Sequence, residues 1–107
     1  LLRAGAHEVE WIRTKGVALG LRRQSAFAEE TFALSAGDTL VLYTDGVTEA
    51  VNPAGEEFGE ARLAAAIADS PHLSAAALRD RIVAAVDAFA ASAPQHDDIT
   101  LVVLRVA

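Results

Sequence analysis

An apolar run, TLVLYT at 39–44, stops directly at Asp45 and Gly46 and strongly limits the folds open to this chain. A nearly continuous apolar run of this length, containing Thr and Tyr, predicts a strand that is buried on both faces. A second run, ITLVVLRV at 99–106, follows Asp97 and Asp98 and predicts another mostly apolar strand. Two such strands require other layers of structure to cover them.

Two further strands are predicted upstream. HEVEWIRT alternates over about 8–13, and Phe32 and Leu34 repeat at period two within 27–34. The SAGD segment at 35–38 has turn-forming residues, so the strands at 27–34 and 39–44 are expected to form a hairpin. Gly16 and Gly20 mark a turn region before them.

Two helices are predicted between the apolar strands. The NPAG turn at 52–55 precedes a helix over about 59–69, which Pro71 limits. A second helix is predicted over about 75–91 with Ser74 as its N-cap, because apolar residues recur there at helical spacing. The order of elements indicates an α+β fold, an antiparallel sheet with two helices packed on one face, in a single domain of 107 residues.

The acidic residues lie where the two apolar strands end and begin. If the strands are antiparallel neighbours, Asp45 meets Asp97 and Asp98 at one edge of the sheet. Clustered carboxylates repel unless a cation separates them, and Mg²⁺ or Mn²⁺ prefers carboxylate oxygens and water. Gly46 would let the backbone approach the ion or its waters. Alternatively, TDG is an ordinary turn and Asp97-Asp98 belongs to a solvated loop.

For other polar residues near the acids, both a functional and a purely structural interpretation are open. His96 could tune Asp97 or carry a proton, or it is a solvated loop residue. Glu49 and Asn52 could orient metal-bound water, or they cap the turn. An EF-hand calcium loop is excluded, because the segment that starts at Asp45 lacks acids at the third and fifth positions.

Composition excludes several functional classes. The chain has no cysteine, which excludes disulfides, thiolate zinc sites and cysteine nucleophiles. The formal net charge of −6 argues against nucleic acid and against contact with an anionic membrane. No apolar run reaches the roughly 18 residues of a membrane span. The chain shows no signal-peptide pattern, and we predict a cytoplasmic location.

Two segments resemble a known family when taken together. GDTLVLYTDGVTEAVNPAGEEFGEARL and HDDITLVVLRV resemble the C-terminal half of a PPM-type (protein phosphatase 2C-like) serine phosphatase of the bacterial SpoIIE and RsbU kind. The opening residues resemble the segment that precedes these motifs, except that Ala18 replaces a frequent proline. The resemblance runs in order through nearly the whole chain.

The resemblance implies a function for the acidic residues. It implies an αββα sandwich with a two-metal Mn²⁺ or Mg²⁺ centre at one edge, which hydrolyses phosphoserine or phosphothreonine by metal-activated water. By position, Asp45 and Asp97 match metal ligands. Asp98 matches a neighbouring residue that supports the ligands without binding the metal directly, and Gly46 is expected to contribute through its backbone. The implied partner is a phosphorylated protein, typically an anti-sigma-factor antagonist in a partner-switching circuit.

The chain also departs from the family pattern. An early acidic strand and a metal-bridging Asp-Gly pair are not found in residues 1–38, where Asp38 is the one aspartate. The 107 residues are therefore expected to be the C-terminal portion of one phosphatase domain, inactive or weakly active alone. We expect self-association or pairing with the other half, because exposed apolar strands seek partners. The alternative is a non-catalytic regulatory or interaction module that keeps the phosphatase scaffold.

Overall fold

A computed structural model describes residues 1–14, 23–24 and 28–107. The elements follow in the order β1 (Thr39–Tyr43), α1 (Asp45–Thr48), α2 (Gly59–Ala68), α3 (Ala75–Ala90) and β2 (Leu101–Arg105). The fold is α+β, as predicted, with helices packed against a two-stranded sheet. No helix within the described ranges has both the length and the apolar character needed to cross a membrane.

The two apolar runs form the paired strands. β1 and β2 are antiparallel, and their register runs from Thr39 opposite Arg105 to Tyr43 opposite Leu101. This pairing places the end of β1 beside the start of β2, which confirms that the two strands are antiparallel neighbours. The 27–34 hairpin prediction is wrong for 28–34, which forms no strand, and Phe27 lies outside the described residues.

The N-terminal segment takes the position beside β1 that the hairpin was expected to fill. Leu2 and Thr39 exchange two backbone hydrogen bonds of 2.8 Å each, so Leu2 forms an isolated antiparallel bridge to β1. The predicted strand at 8–13 is also wrong, because among the described residues its backbone pairs only at Glu10, which exchanges two bonds with Leu1: Glu10 N–H donates to the Leu1 carbonyl at 2.7 Å, and the Leu1 ammonium donates to the Glu10 carbonyl at 2.9 Å. The turn predicted around Gly16 and Gly20 lies outside the described residues.

The two long helices confirm the prediction made from apolar spacing. The Ser74 hydroxyl accepts a hydrogen bond of 3.1 Å from Ala77 N–H and caps α3, as expected. The buried stripes of α2 and α3 meet in one core, formed by Leu2, Val47, Phe58, Leu63, Ile67, Leu78, Ile82 and Val86. Arg105 holds the turn between these helices by donating to the Pro71 and Leu73 carbonyls, each at 2.7 Å.

The sheet is covered on one face only in this structure. Val41, Tyr43, Leu101 and Val103 pack against the helical core. On the opposite face, Leu42 is 55% exposed, Val102 51% and Leu104 46%. We call Leu42, Val102 and Leu104 the outer sheet face. Among the described residues helices cover one side of the sheet only, so the prediction that β1 is buried on both faces is wrong for the part of the chain that the structure describes.

Candidate functional site

The predicted site lies at the open end of the β1–β2 pair. Thr44 continues the ladder beyond Tyr43, since its N–H donates to the Thr100 carbonyl at 3.1 Å. Its hydroxyl donates to the Asp98 carbonyl at 3.3 Å and accepts from Thr100 N–H at 3.0 Å. Thr44 thereby ties the residue before Asp45 to the segment that carries Asp97 and Asp98, which sequence reasoning did not anticipate.

Asp45 does not end the strand in an ordinary turn, because it begins the one-turn helix α1. The Asp45 carbonyl accepts from Glu49 N–H at 2.8 Å and closes that turn. Val47, the third residue of α1, is fully buried in the core. This burial anchors α1, while the Asp45 side chain stays exposed at the sheet edge.

Gly46 is required by a close approach of two backbone segments. A Cβ atom at this position would lie 2.1 Å from the carbonyl oxygen of Asp98. Such a contact is impossible without movement of the backbone, so α1 can only lie against residues 98–99 because residue 46 is a glycine. The predicted role of Gly46 beside an ion or its waters stays a prediction.

Asp97 and Asp98 are arranged by short-range bonds. Asp97 Oδ1 accepts from Asp98 N–H at 2.8 Å, and the Asp97 carbonyl accepts from the Gln95 side-chain amide at 2.8 Å. Both carboxylates are exposed. The loop thus presents two acids toward solvent at the same end of the strand pair as Asp45.

A hard divalent cation fits the chemistry of these donors, since Mg²⁺ is often held by one or two carboxylates with water and substrate phosphate. In the part of the chain that the structure describes, however, no three His, Cys, Asp or Glu side chains converge closely enough to hold a metal ion. The assignment of Asp45 and Asp97 as metal ligands therefore stays a prediction.

Tyr43 anchors the strand end that precedes these acids. Its ring packs edge-on against Trp11, with the ring centroids 6.3 Å apart. Burial raises the pKa of the Tyr43 hydroxyl, and the nearby Glu60 carboxylate raises it further. The side chain therefore stays neutral near pH 7 and serves here as packing rather than as an acid.

A buried carboxylate lies at the other end of β1, away from the candidate site. Asp38 accepts hydrogen bonds from Ser35 N–H and Ala4 N–H at 2.9 Å each, and from Arg3 at 3.0 Å. These backbone bonds, with the Arg3 guanidinium, lower the pKa of the Asp38 carboxyl. Asp38 was predicted only as part of the SAGD turn, which does form, and its role is to hold the N-terminal segment against β1.

A cleft of about 280 Å³ adjoins the acidic edge. It lies between the C-terminal end of α3, the residues after α1 and the loop that leads to β2. Gly46 and Asp97 belong to its lining, as do Glu49 and Asp87. Sequence reasoning missed this cleft, because its walls come from three segments that are distant in the chain.

Comparison with known proteins identifies the family to which this chain belongs. The model of the stage II sporulation protein E (SpoIIE) family matches residues 1–107. The chain belongs to the SpoIIE family. The SiaA-PP2C domain of Pseudomonas aeruginosa has a similar structure, with a TM-score of 0.70 and 26% sequence identity. That likeness covers 79% of this chain and 36% of the SiaA chain.

A curated relative is similar over a shorter stretch. Protein IcfG of Synechocystis sp. is 38% identical over 52 residues, which is 49% of this chain and 8% of IcfG. This SpoIIE-family chain therefore spans about a third of the SiaA chain and less than a tenth of IcfG. The SpoIIE match and the PP2C-like structure together confirm the resemblance to a PPM-type phosphatase.

Proposed function

We propose that residues 1–107 form the C-terminal portion of a PPM-type domain that hydrolyses phosphoserine or phosphothreonine in proteins with Mn²⁺ or Mg²⁺. One observation carries the proposal. In a chain that matches the SpoIIE family throughout, the β1–β2 register brings Asp45 to the same sheet edge as Asp97 and Asp98. This geometry supports a shared cation site.

In this proposal Asp45 and Asp97 are metal ligands. Asp98 helps to position these two ligands through its backbone, because its carbonyl accepts a hydrogen bond from Thr44 and its N–H donates one to Asp97. Gly46 permits the close packing that holds α1 in place. The divalent ions would supply Lewis acidity and lower the pKa of a water molecule, so that it can attack phosphorus.

A two-metal centre requires more ligands than the described residues bring together, since they contain no group of three metal-binding side chains. We propose that the remaining carboxylates come from another part of the same phosphatase domain. The outer sheet face fits this proposal, because a sandwich would cover Leu42, Val102 and Leu104 with a second sheet. The similar SiaA chain is also longer than the region matched here.

The proposed substrate is a phosphorylated protein. By analogy with phosphatases of the SpoIIE and RsbU kind, we propose an anti-sigma-factor antagonist within a partner-switching circuit, acting in the cytoplasm.

Calorimetric titration with Mn²⁺ tests the proposed ligands. The 107-residue chain should bind Mn²⁺ weakly, and Asp45→Asn should weaken that binding about tenfold or more. Asp69→Asn is the matched control, because Asp69 is an exposed acid at the end of α2 and far along the chain from both motifs. Equal Mn²⁺ affinity of the wild type and Asp45→Asn would overturn the assignment.

An assay of phosphate release distinguishes a phosphatase from a non-catalytic module. A longer protein that joins this chain to the proposed N-terminal half should release phosphate from a phosphoserine peptide when Mn²⁺ is added, while the 107-residue chain alone should release little. Absence of release by the longer protein would favour the regulatory module. Robust release by the 107-residue chain would contradict the proposal that its metal site is incomplete.

A further inference from the structure

The cleft beside Asp97 has apolar walls. Val86 and Ala90 come from α3, Val51 from the segment after α1, and Pro94 and Ile99 from the loop before β2. Its volume of about 280 Å³ is just below the roughly 300–1,000 Å³ of pockets for drug-sized ligands. The cleft is therefore suited to one extended side chain rather than to a large cofactor.

The polar side chains of the cleft are three acids, one histidine and one amide, Gln95. Glu49, Asp87 and Asp97 contribute three carboxylates to its lining, and His96 adds an imidazole. No lysine or arginine among the described residues lines the cleft. Nor does any salt bridge within the described ranges engage these three carboxylates. Among the described residues, no salt bridge therefore neutralises their negative charge.

The apolar walls, together with the exposed acids of the lining, which we call the rim, select one class of occupant. A bare metal ion would gain nothing from the apolar walls, and these carboxylates do not form a three-ligand group. Lysine and arginine side chains pair an apolar stem with a terminal cation, and they bury the stem while the charge stays at the surface. Such a side chain would match both the walls and the rim.

We infer that this cleft binds a lysine or arginine side chain of the phosphoprotein substrate, close in sequence to the phosphorylated residue. The inference rests on the proposed function, because Asp97 is both part of the cleft lining and a proposed metal ligand. A metal ion would neutralise Asp97, whereas Glu49 and Asp87 would remain free to bind the cation. Of the two, Asp87 on α3 is the further from the metal-binding motifs in sequence.

Peptide binding to the 107-residue chain tests the inference without metal or catalysis. Capped Ala-Lys-Ala and capped Ala-norleucine-Ala differ only in the terminal ammonium group of the central side chain. In the presence of a chelator, amide NMR shifts at Gly46, Ala90 and Ala93 should report binding within the cleft. The lysine peptide should bind about fivefold more tightly, and this advantage should shrink as salt is added.

Two variants that each remove one negative charge distinguish an effect of the cleft on peptide affinity from an effect of the protein's net charge. Asp87→Asn should reduce affinity for the lysine peptide about two- to threefold and leave the norleucine peptide unchanged. Asp69→Asn, which lies outside the cleft, should change neither affinity. Equal binding of the two peptides, no binding by either, or shifts at the outer sheet face instead would overturn the inference. Because the Mn²⁺ titration is a separate measurement, failure of the cleft and failure of the metal site can be distinguished.

Discussion

The backbone of Gly46 lies directly against the carbonyl of Asp98, where an added Cβ atom would be 2.1 Å from the oxygen. This contact joins the start of α1 to the loop that enters β2. With the Thr44 hydroxyl, which donates to the same carbonyl, it sets how the two acidic motifs approach each other.

Gly46→Ala should destabilise the protein by about 2–4 kcal/mol, because the new methyl group must displace backbone rather than a flexible side chain. Gly55→Ala is the control. Gly55 has a φ of +82° but open space around it, so its cost should be only about 1 kcal/mol of backbone strain. Chemical denaturation of both variants measures the difference. Equal losses would show that the contact with Asp98 is relaxed in solution.

Asp38→Asn should lower the thermal unfolding midpoint at neutral pH, because an amide group cannot replace a carboxylate that accepts three hydrogen bonds. The folded-state pKa of Asp38 is lowered, so its carboxylate stabilises the fold above the unfolded pKa of about 4. That contribution is lost as the pH falls through the lower, folded pKa.

Unfolding midpoints measured from pH 7 to pH 2 check this dependence. The gap between the wild type and Asp38→Asn should be widest at pH 7 and should narrow below about pH 4. Asp69→Asn, which changes an exposed acid, should track the wild type throughout. A gap that stays constant with pH would contradict a stabilising role for the Asp38 charge.

Leu42→Thr should reduce self-association, because it removes apolar area from the outer sheet face while keeping a residue that favours strands. Sedimentation velocity over a concentration series measures the effect. Val103→Thr is the matched control on the inner face, where it should destabilise the fold by about 1–3 kcal/mol by burying a hydroxyl. A wild-type chain that stays monomeric at high concentration would contradict the prediction.

Asp45→Asn and Asp97→Asn should be non-additive in Mn²⁺ binding. If both carboxylates hold the same ion, the double variant should lose less affinity than the sum of the two single losses expressed as free energies. Calorimetry on the four proteins completes the cycle. Additive losses would indicate two independent sites and would contradict the shared cation at this edge.

Several elements were predictable because their signals are local. The apolar stripe of Leu78, Ile82 and Val86 identified α3, and Ser74 marked its start. The NPAG and SAGD turns form as expected: Asn52 Oδ1 accepts from Ala54 N–H and Glu56 N–H, and the Ser35 carbonyl accepts from Asp38 N–H. The apolar runs likewise identified both strands, with ends within two residues of those observed.

The pairing of strands and the covering of the sheet faces were harder to predict from the sequence. Alternation over 8–13 and in 28–34 predicted strands, yet a strand exists only when a second backbone completes its ladder. Leu2 occupies the position beside Thr39 instead. The short helix α1 was missed because an Asp-Gly pair carries a turn signal, and the burial of Val47, which anchors α1, is visible only in the folded chain.

The family, the two long helices, the two apolar strands and the acids at their ends all followed from the order of the residues. Tertiary structure alone decided that Gly46 must pack on Asp98, that Asp38 is a buried anchor, and that Glu49 and Asp87 line one cleft with Asp97. The difference comes from the distance along the chain over which each signal acts. Periodicity and turn chemistry act over a few neighbouring residues, while hydrogen-bond partners and cavity walls join segments that meet only when the chain folds.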